Sequence, residues 1–291
     1  KVLTPAVKLF QYCTKCTALN ALYKMHCHKC AAIAGHSLFI HRCTDAKKAM
    51  QEAPRQFPLP LRFDRSATFT NYWVGANEHI VAQLNSLITQ AQTRWIYLAG
   101  APASGVSHLL QATMAQASEL GQSAIYISLS EMFSLADERP EITALDLMES
   151  IENYELICID NIDALTARGD WQEALFYLLI KLQGLHVSRI VFGAQESASF
   201  IDIALADLRS RLAGAESFQL KPHSDEDKAL IVQHHAQLRG CEINDELASF
   251  IVQRYSRDLP SLVAAVDLLD QNSMSESRKL TIPFAKKVLL L

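Results

Sequence analysis

The 291 residues carry a net charge of −4 and are 49% hydrophobic, enough apolar material for one large domain or two smaller ones and too little positive charge for a generally basic nucleic-acid binder, a local basic patch staying open. No apolar run reaches the roughly 18 residues that cross a bilayer, and the beginning of the chain lacks the basic, apolar and small-residue succession of a secretory signal. Most of the cysteines precede residue 44, leaving Cys158 and Cys241 beyond it, a distribution expected of a reduced cytoplasmic protein rather than of a disulfide framework.

Residues 1–49 form a cysteine-rich leader. Cys13-x-x-Cys16 and Cys27-x-x-Cys30 stand ten residues apart, with His26, His28 and Cys43 nearby. Four thiolates in two such pairs suit a tetrahedral Zn²⁺. The alternative is that this stretch is not native to the domain, because Met50 opens a natural-looking leader of its own; that reading is preferred. Residues 50–67 are expected to be extended: Pro58 and Pro60 disfavour helix, and Phe57, Leu59 and Leu61 alternate with proline or polar positions. Such a segment either lays apolar anchors in a partner's groove or docks on its own domain as a linker.

Thr68 to Gly75 precede a predicted helix whose apolar stripe is Ile80, Val81, Leu84, Leu87, Ile88 and Ala91. A strand from Trp95 then runs into Gly100-Ala-Pro-Ala-Ser-Gly105 and a helix from about Val106 to Leu120. This is the frame of a phosphate-binding loop, with Ala103, Ser104, Gly105, Ser107 and His108 available to wrap an anion at a helix N-terminus and Val106 in the slot of the usual lysine. An ordinary strand–turn–helix corner is the competing reading. The strand Ala124–Ser128 follows, so helix and strand alternate as in a parallel sheet with crossover helices.

Leu156 to Ile159 form a buried strand ending in Asp160, placed either to hold Mg²⁺ through water beside the loop or to cap a turn. Asn161 follows where a hydrolytic carboxylate would stand, and an amide is no useful base. A helix over 170–184, a strand over 189–193 ending in Gly193-Ala194 with no polar side chain until Gln195, and a short helix over 206–212 come next. Arg209 and Arg211 on that helix either reach out of the domain or form a solvated basic face. After a strand at 218–220 the chain turns all-helical, with a capping-box start at Ser224–Asp227, a stop at Gly240 and helices near 245–256, 260–272 and 283–290. Arg257 sits at the start of the helix near 260–272.

Ser107–Leu110, Leu156–Ile162, Asp207–Leu212, Leu220–Lys228 and Arg278–Phe284, in this order, resemble the DnaA/Hda group of AAA+ ATPases over about residues 56–291. The resemblance implies an α/β AAA+ P-loop parallel sheet with flanking helices over 68–221 and a small all-helical lid over 222–291. The absence of a helix-turn-helix domain after the lid favours the group's regulators over its initiators.

By the same resemblance, Gln56, Phe57, Leu59 and Leu61 dock on the β sliding clamp of DNA polymerase III, which brings DNA in indirectly. Arg211 is the arginine finger that reaches the nucleotide of a neighbouring DnaA, where such fingers supply roughly 10³–10⁵ in rate. Arg257 is the sensor-2 arginine, and Trp73, Val74 and Gly75 lie beside the base. The cofactor implied is ADP, with Mg²⁺, although Val106, Asn161 and Gly193-Ala194 depart from the group's nucleotide machinery. The expected protein is a cytoplasmic, nucleoid-associated activator of the DnaA ATPase without turnover of its own; a homo-oligomer stays open. A self-sufficient P-loop ATPase and a DnaA-like adaptor without stimulating activity are the alternatives.

Overall fold

The computed structural model describes residues 66–90, 93–185, 189–256, 258–276 and 278–290, all within one compact unit spanning Leu59–Leu291. The paired cysteines, the segment 56–61 expected to dock on the clamp and Arg257 lie outside the described residues.

Five strands, β1 (Trp95–Ala99), β2 (Ala124–Ser128), β3 (Leu156–Asp160), β4 (Arg189–Ala194) and β5 (Glu216–Gln219), form one sheet in the order β2-β3-β4-β1-β5, with every pairing parallel. β3 and β4 are buried along their whole length. That burial is why they read as unbroken apolar runs rather than as alternating patterns. β5 is an edge strand, mostly exposed; it begins two residues before the expected 218 and ends at Gln219.

The helices are α1 (Glu78–Thr89), α2 (Val106–Glu119), α3 (Leu129–Glu138), α4 (Ala144–Met148), α5 (Gly169–Leu185), α6 (Ala206–Ala213), α7 (Asp225–Leu238), α8 (Asp245–Arg254), α9 (Leu259–Glu276) and α10 (Ile282–Leu289). Ile80, Leu84, Leu87 and Ile88 are the buried face of α1, at the spacing of one helical stripe. The guanidinium of buried Arg189 donates to the carbonyls of Leu87 and Ile88 at 3.1 and 3.0 Å, satisfying groups that a helix C-terminus leaves open.

Two helices form between β2 and β3 where the sequence reading has none. Their apolar runs are short and are separated by Pro140, and their caps define them instead. Ser128 accepts the N–H of Glu131 at the start of α3, and Thr143 with Asp146 closes a capping box on α4. α7 begins with the expected box at Ser224 and Asp227. Gly240, at φ +78°, terminates it. Helices α7 to α10 bury a core of their own, including Val232, Leu247, Ile251, Leu262, Val266 and Phe284. Among the described residues no helix is long and apolar enough to cross a membrane.

Candidate functional site

The loop after β1 is shaped by close approaches. A β-carbon on Gly100 would stand 2.3 Å from Ser104 Oγ, and one on Gly105 would stand 2.6 Å from the ring of Tyr72. Ala103 and Gly105 both have positive φ, 64° and 96°. With helical residues around them, such turns aim successive backbone N–H groups into one concavity. That concavity opens at the N-terminus of the fourteen-residue α2, which adds a partial positive charge. Ser104 Oγ is buried there without a hydrogen-bond partner. A buried hydroxyl left so costs free energy. The backbone cradle therefore fits a phosphate.

Val106 does not leave an empty slot. Its side chain is buried, with one methyl toward Gly100 and the other toward Gly193 at the end of β4. The residue in the usual lysine position thus packs inward, between two strand ends. The pocket above it, about 360 Å³, is lined by Gly100 to His108, Asp160, Asn161, Asp163, Ala194, Gln195 and Pro260. It contains no lysine or arginine among the described residues.

Asp160 is committed on both oxygens. Tyr126 Oη donates to one at 2.8 Å and the N–H of Asn161 to the other at 2.8 Å. Burial, and then the charge of Asp160, push the Tyr126 phenol well above its ordinary range, so it stays a donor. Asp160 is thus a buried carboxylate whose orientation is already fixed. Asn161 adopts a left-handed backbone, and its Oδ1 accepts from Ser128 Oγ at 2.9 Å, which turns its side chain to β2.

Two residues lining the pocket escaped the sequence reading. Asp163, on the turn after β3, accepts the N–H of Gln195 at 2.9 Å, and Gln195 itself is exposed in the pocket. The available signal was the spacing of Asp163, three residues beyond Asp160, which is one turn of 3₁₀ helix.

A second pocket of about 530 Å³ adjoins the first, sharing Ala103, Gly105, His108 and Pro260, and extends between Trp73, Tyr72, His223 and the lid residues Ile231, His234 and Val263. Its aromatic walls suit a planar ring. Trp73 Nε1 donates to Asp227 Oδ1 of α7 at 3.2 Å. His234 Nε2 lies 3.2 Å from the carbonyl of Thr70, and His108 Nε2 lies 2.8 Å from that of Thr68; both rings donate, because a carbonyl only accepts. Of the three residues expected beside the base, Trp73 lines the pocket, Val74 packs on the core under α1 and Gly75 turns the chain at φ +46°.

Arg211 lines neither pocket. It projects from α6 back onto α5, its guanidinium 5.2 Å from the Phe176 ring centroid and donating to Gln183 Oε1. Arg209 is exposed.

Residues 225–289 match the family model of the Hda lid domain. Among solved structures, domain III of the replication initiation protein DnaA from Thermotoga maritima superposes with a TM-score of 0.68 at 18% identity, over 79% of this chain and 98% of that one. AMPPCP-bound DnaA from Aquifex aeolicus gives 0.59 at 17%, over 74% and 68%. The RuvB Holliday junction branch migration motor of Thermotoga maritima gives 0.54 at 18%, over 74% and 69%. At these identities the neighbours establish the fold, and the lid match speaks for residues 225–289. The described body thus has the fold of DnaA domain III, and the helical segment 225–289 behind it is similar to the Hda lid domain.

Proposed function

We propose that this protein is a negative regulator of replication initiation. It binds the DNA-loaded sliding clamp through Gln56, Phe57, Leu59 and Leu61 and stimulates ATP hydrolysis by DnaA through Arg211 supplied in trans. The observation that carries this reading is the division of charge between two places. The chain's own phosphate pocket has no arginine or lysine among the described residues, whereas Arg211 stands outside it on a surface helix, supported by Phe176 and Gln183. A cation that does not serve its own pocket is available to a neighbour's.

A nucleoside diphosphate fits the cleft as a bound ligand. The backbone from Ala103 to Ser107 would receive its phosphates and the Trp73 side its base, with Asp160 facing any hydrated Mg²⁺. Arg257, by its likeness to the sensor-2 arginine, would close over it from the lid. When bound, the nucleotide supplies a charge and a surface on which body and lid close. Asn161, turned to Ser128, activates no water, so the chain's own turnover is slow or absent.

In the partner's site, the guanidinium of Arg211 would neutralise charge developing on the transferring phosphoryl group. Positioning and electrostatics of this kind account for most of phosphoryl-transfer catalysis. The test is DnaA ATPase in the presence of DNA-loaded clamps. Arg211→Ala is expected to abolish stimulation while leaving clamp binding intact, and full stimulation by that variant would refute the finger. Gln56→Ala with Phe57→Ala is expected to remove clamp binding and stimulation together.

A further inference from the structure

The stretch from Glu131 to Glu173 holds twelve acidic residues and two basic ones, Arg139 and Arg168, a net of −10 in a chain whose total is −4. It folds into α3, α4, β3 and the start of α5, and every carboxylate in it except buried Asp160 is at least partly exposed. Within it lies a groove of about 400 Å³ between α3, α4 and α5. Its floor includes buried Trp171 and Ile142. Leu145 and Tyr177 line it while 57% and 53% exposed, so each presents apolar surface to water. Arg168 also lines the groove, but it is held by Asp137 through two hydrogen bonds of 3.0 and 2.9 Å and lies over the Phe133 ring. Asp170 and Glu173 on α5 line the groove as well, and Glu173, Glu138 and Glu141 form no ion pair among the described residues.

We propose that this groove docks a lysine- or arginine-rich segment of a partner protein, which buries an aliphatic or aromatic side chain between Leu145 and Tyr177. The charge selects this occupant. Nucleic acid phosphates are repelled by the carboxylates, and a second copy of the chain meeting the groove with its own groove sets acid against acid. A cationic segment gains long-range attraction to the rim and a desolvated anchor at the floor, the combination that gives both steering and affinity. The proposal does not depend on Arg211 or on the clamp segment.

The experiment uses the full chain and a fluorescent amphipathic helical peptide of leucine and lysine, with a counterpart in which glutamate replaces lysine. The lysine peptide is expected to saturate at one per chain, with affinity falling as salt rises. Leu145→Ser with Tyr177→Ser is expected to weaken it by about tenfold, and so is Asp170→Lys with Glu173→Lys. Carbodiimide should join a peptide lysine to Asp170 or Glu173. All four positions are exposed, so these variants keep the fold. Equal binding of the glutamate peptide, or lysine-peptide binding unchanged by both pairs of substitutions, would overturn the proposal. Self-association of the wild-type chain that Leu145→Ser with Tyr177→Ser removes would reassign the groove to a second copy and overturn it likewise.

Discussion

Val106 Cγ1 stands 2.9 Å from the point that a β-carbon on Gly193 would occupy, and Asp160 Oδ1 stands 2.7 Å from it. Two departures from the nucleotide machinery that the resemblance implies, a valine for the lysine and a glycine at the end of β4, therefore share one space. The valine branch fills what a side chain at 193 would need. Gly193→Ala is expected to destabilise by about 1–3 kcal/mol through overpacking. Val106→Ala relieves one of the crowding groups, so the two changes combined should cost at least about 0.5 kcal/mol less than their sum. Urea unfolding of the four members of the cycle checks this; strict additivity would mean that the two sites do not share space.

The support under Arg211 predicts a graded loss of function. Phe176→Ala removes a cation–π contact worth about 0.5–1 kcal/mol at an exposed site. If that contact holds the guanidinium for the partner's phosphates, stimulation of DnaA ATPase falls about two- to fivefold, far less than with Arg211→Ala. Phe176→Tyr keeps the ring face and should restore it. A Phe176→Ala loss that Phe176→Tyr does not rescue would show that the ring acts by some route other than orienting Arg211.

Acid is expected to loosen the seam between body and lid in two stages. Burial holds the His223 imidazole below its ordinary 6.5, so below that pH the unfolded chain takes up a proton that the folded one refuses, and stability falls. The Ser224 backbone N–H, with smaller contributions from Trp73 and the Ser224 hydroxyl, holds the Asp227 carboxyl below its ordinary 3.8. Its contribution is present above that value and is lost as pH falls through the depressed one. Trp73, hydrogen-bonded to Asp227, is the fluorescent reporter. His223→Asn should flatten the first stage and leave the second, whereas an unchanged acid profile would remove His223 from the seam.

Much of the α/β fold was legible because its signals are local. Strands such as Leu156–Asp160 are short, apolar up to the closing aspartate and buried along their length, and the loop from Gly100 to Gly105 announces its turn by composition. The lid's helices were legible from caps at Ser224 and Pro283. What escaped depends on contacts across the sheet. Nothing in the sequence around Val106 says that its methyls face Gly193, eighty-seven residues away. Nor does the sequence say that Tyr126 fixes Asp160, or that Asp163 holds the backbone of Gln195. These pairings exist only once β2, β3 and β4 lie side by side. α3 and α4 escaped for a different reason, since their identity rests on capping hydrogen bonds rather than on a long apolar period.

The phosphate cradle yields a prediction with opposite signs in two states. Ser104 Oγ is buried without a partner, and such a hydroxyl costs about 1–3 kcal/mol. Removing it in Ser104→Ala should raise the unfolding midpoint of the nucleotide-free protein. If the hydroxyl is satisfied by a bound phosphate, the same substitution should also shrink the rise in midpoint that MgADP produces, which at a hundredfold excess over the dissociation constant amounts to about 2.7 kcal/mol. Gly105→Ala behaves differently, because its β-carbon meets the Tyr72 ring at 2.6 Å with φ at +96°. It should lower the nucleotide-free midpoint and abolish the MgADP response together. Thermal unfolding of the three proteins with and without MgADP separates the cases. A Ser104→Ala protein that is less stable without nucleotide and equally responsive to it would place the hydroxyl outside the ligand's reach and leave phosphate binding to the backbone alone.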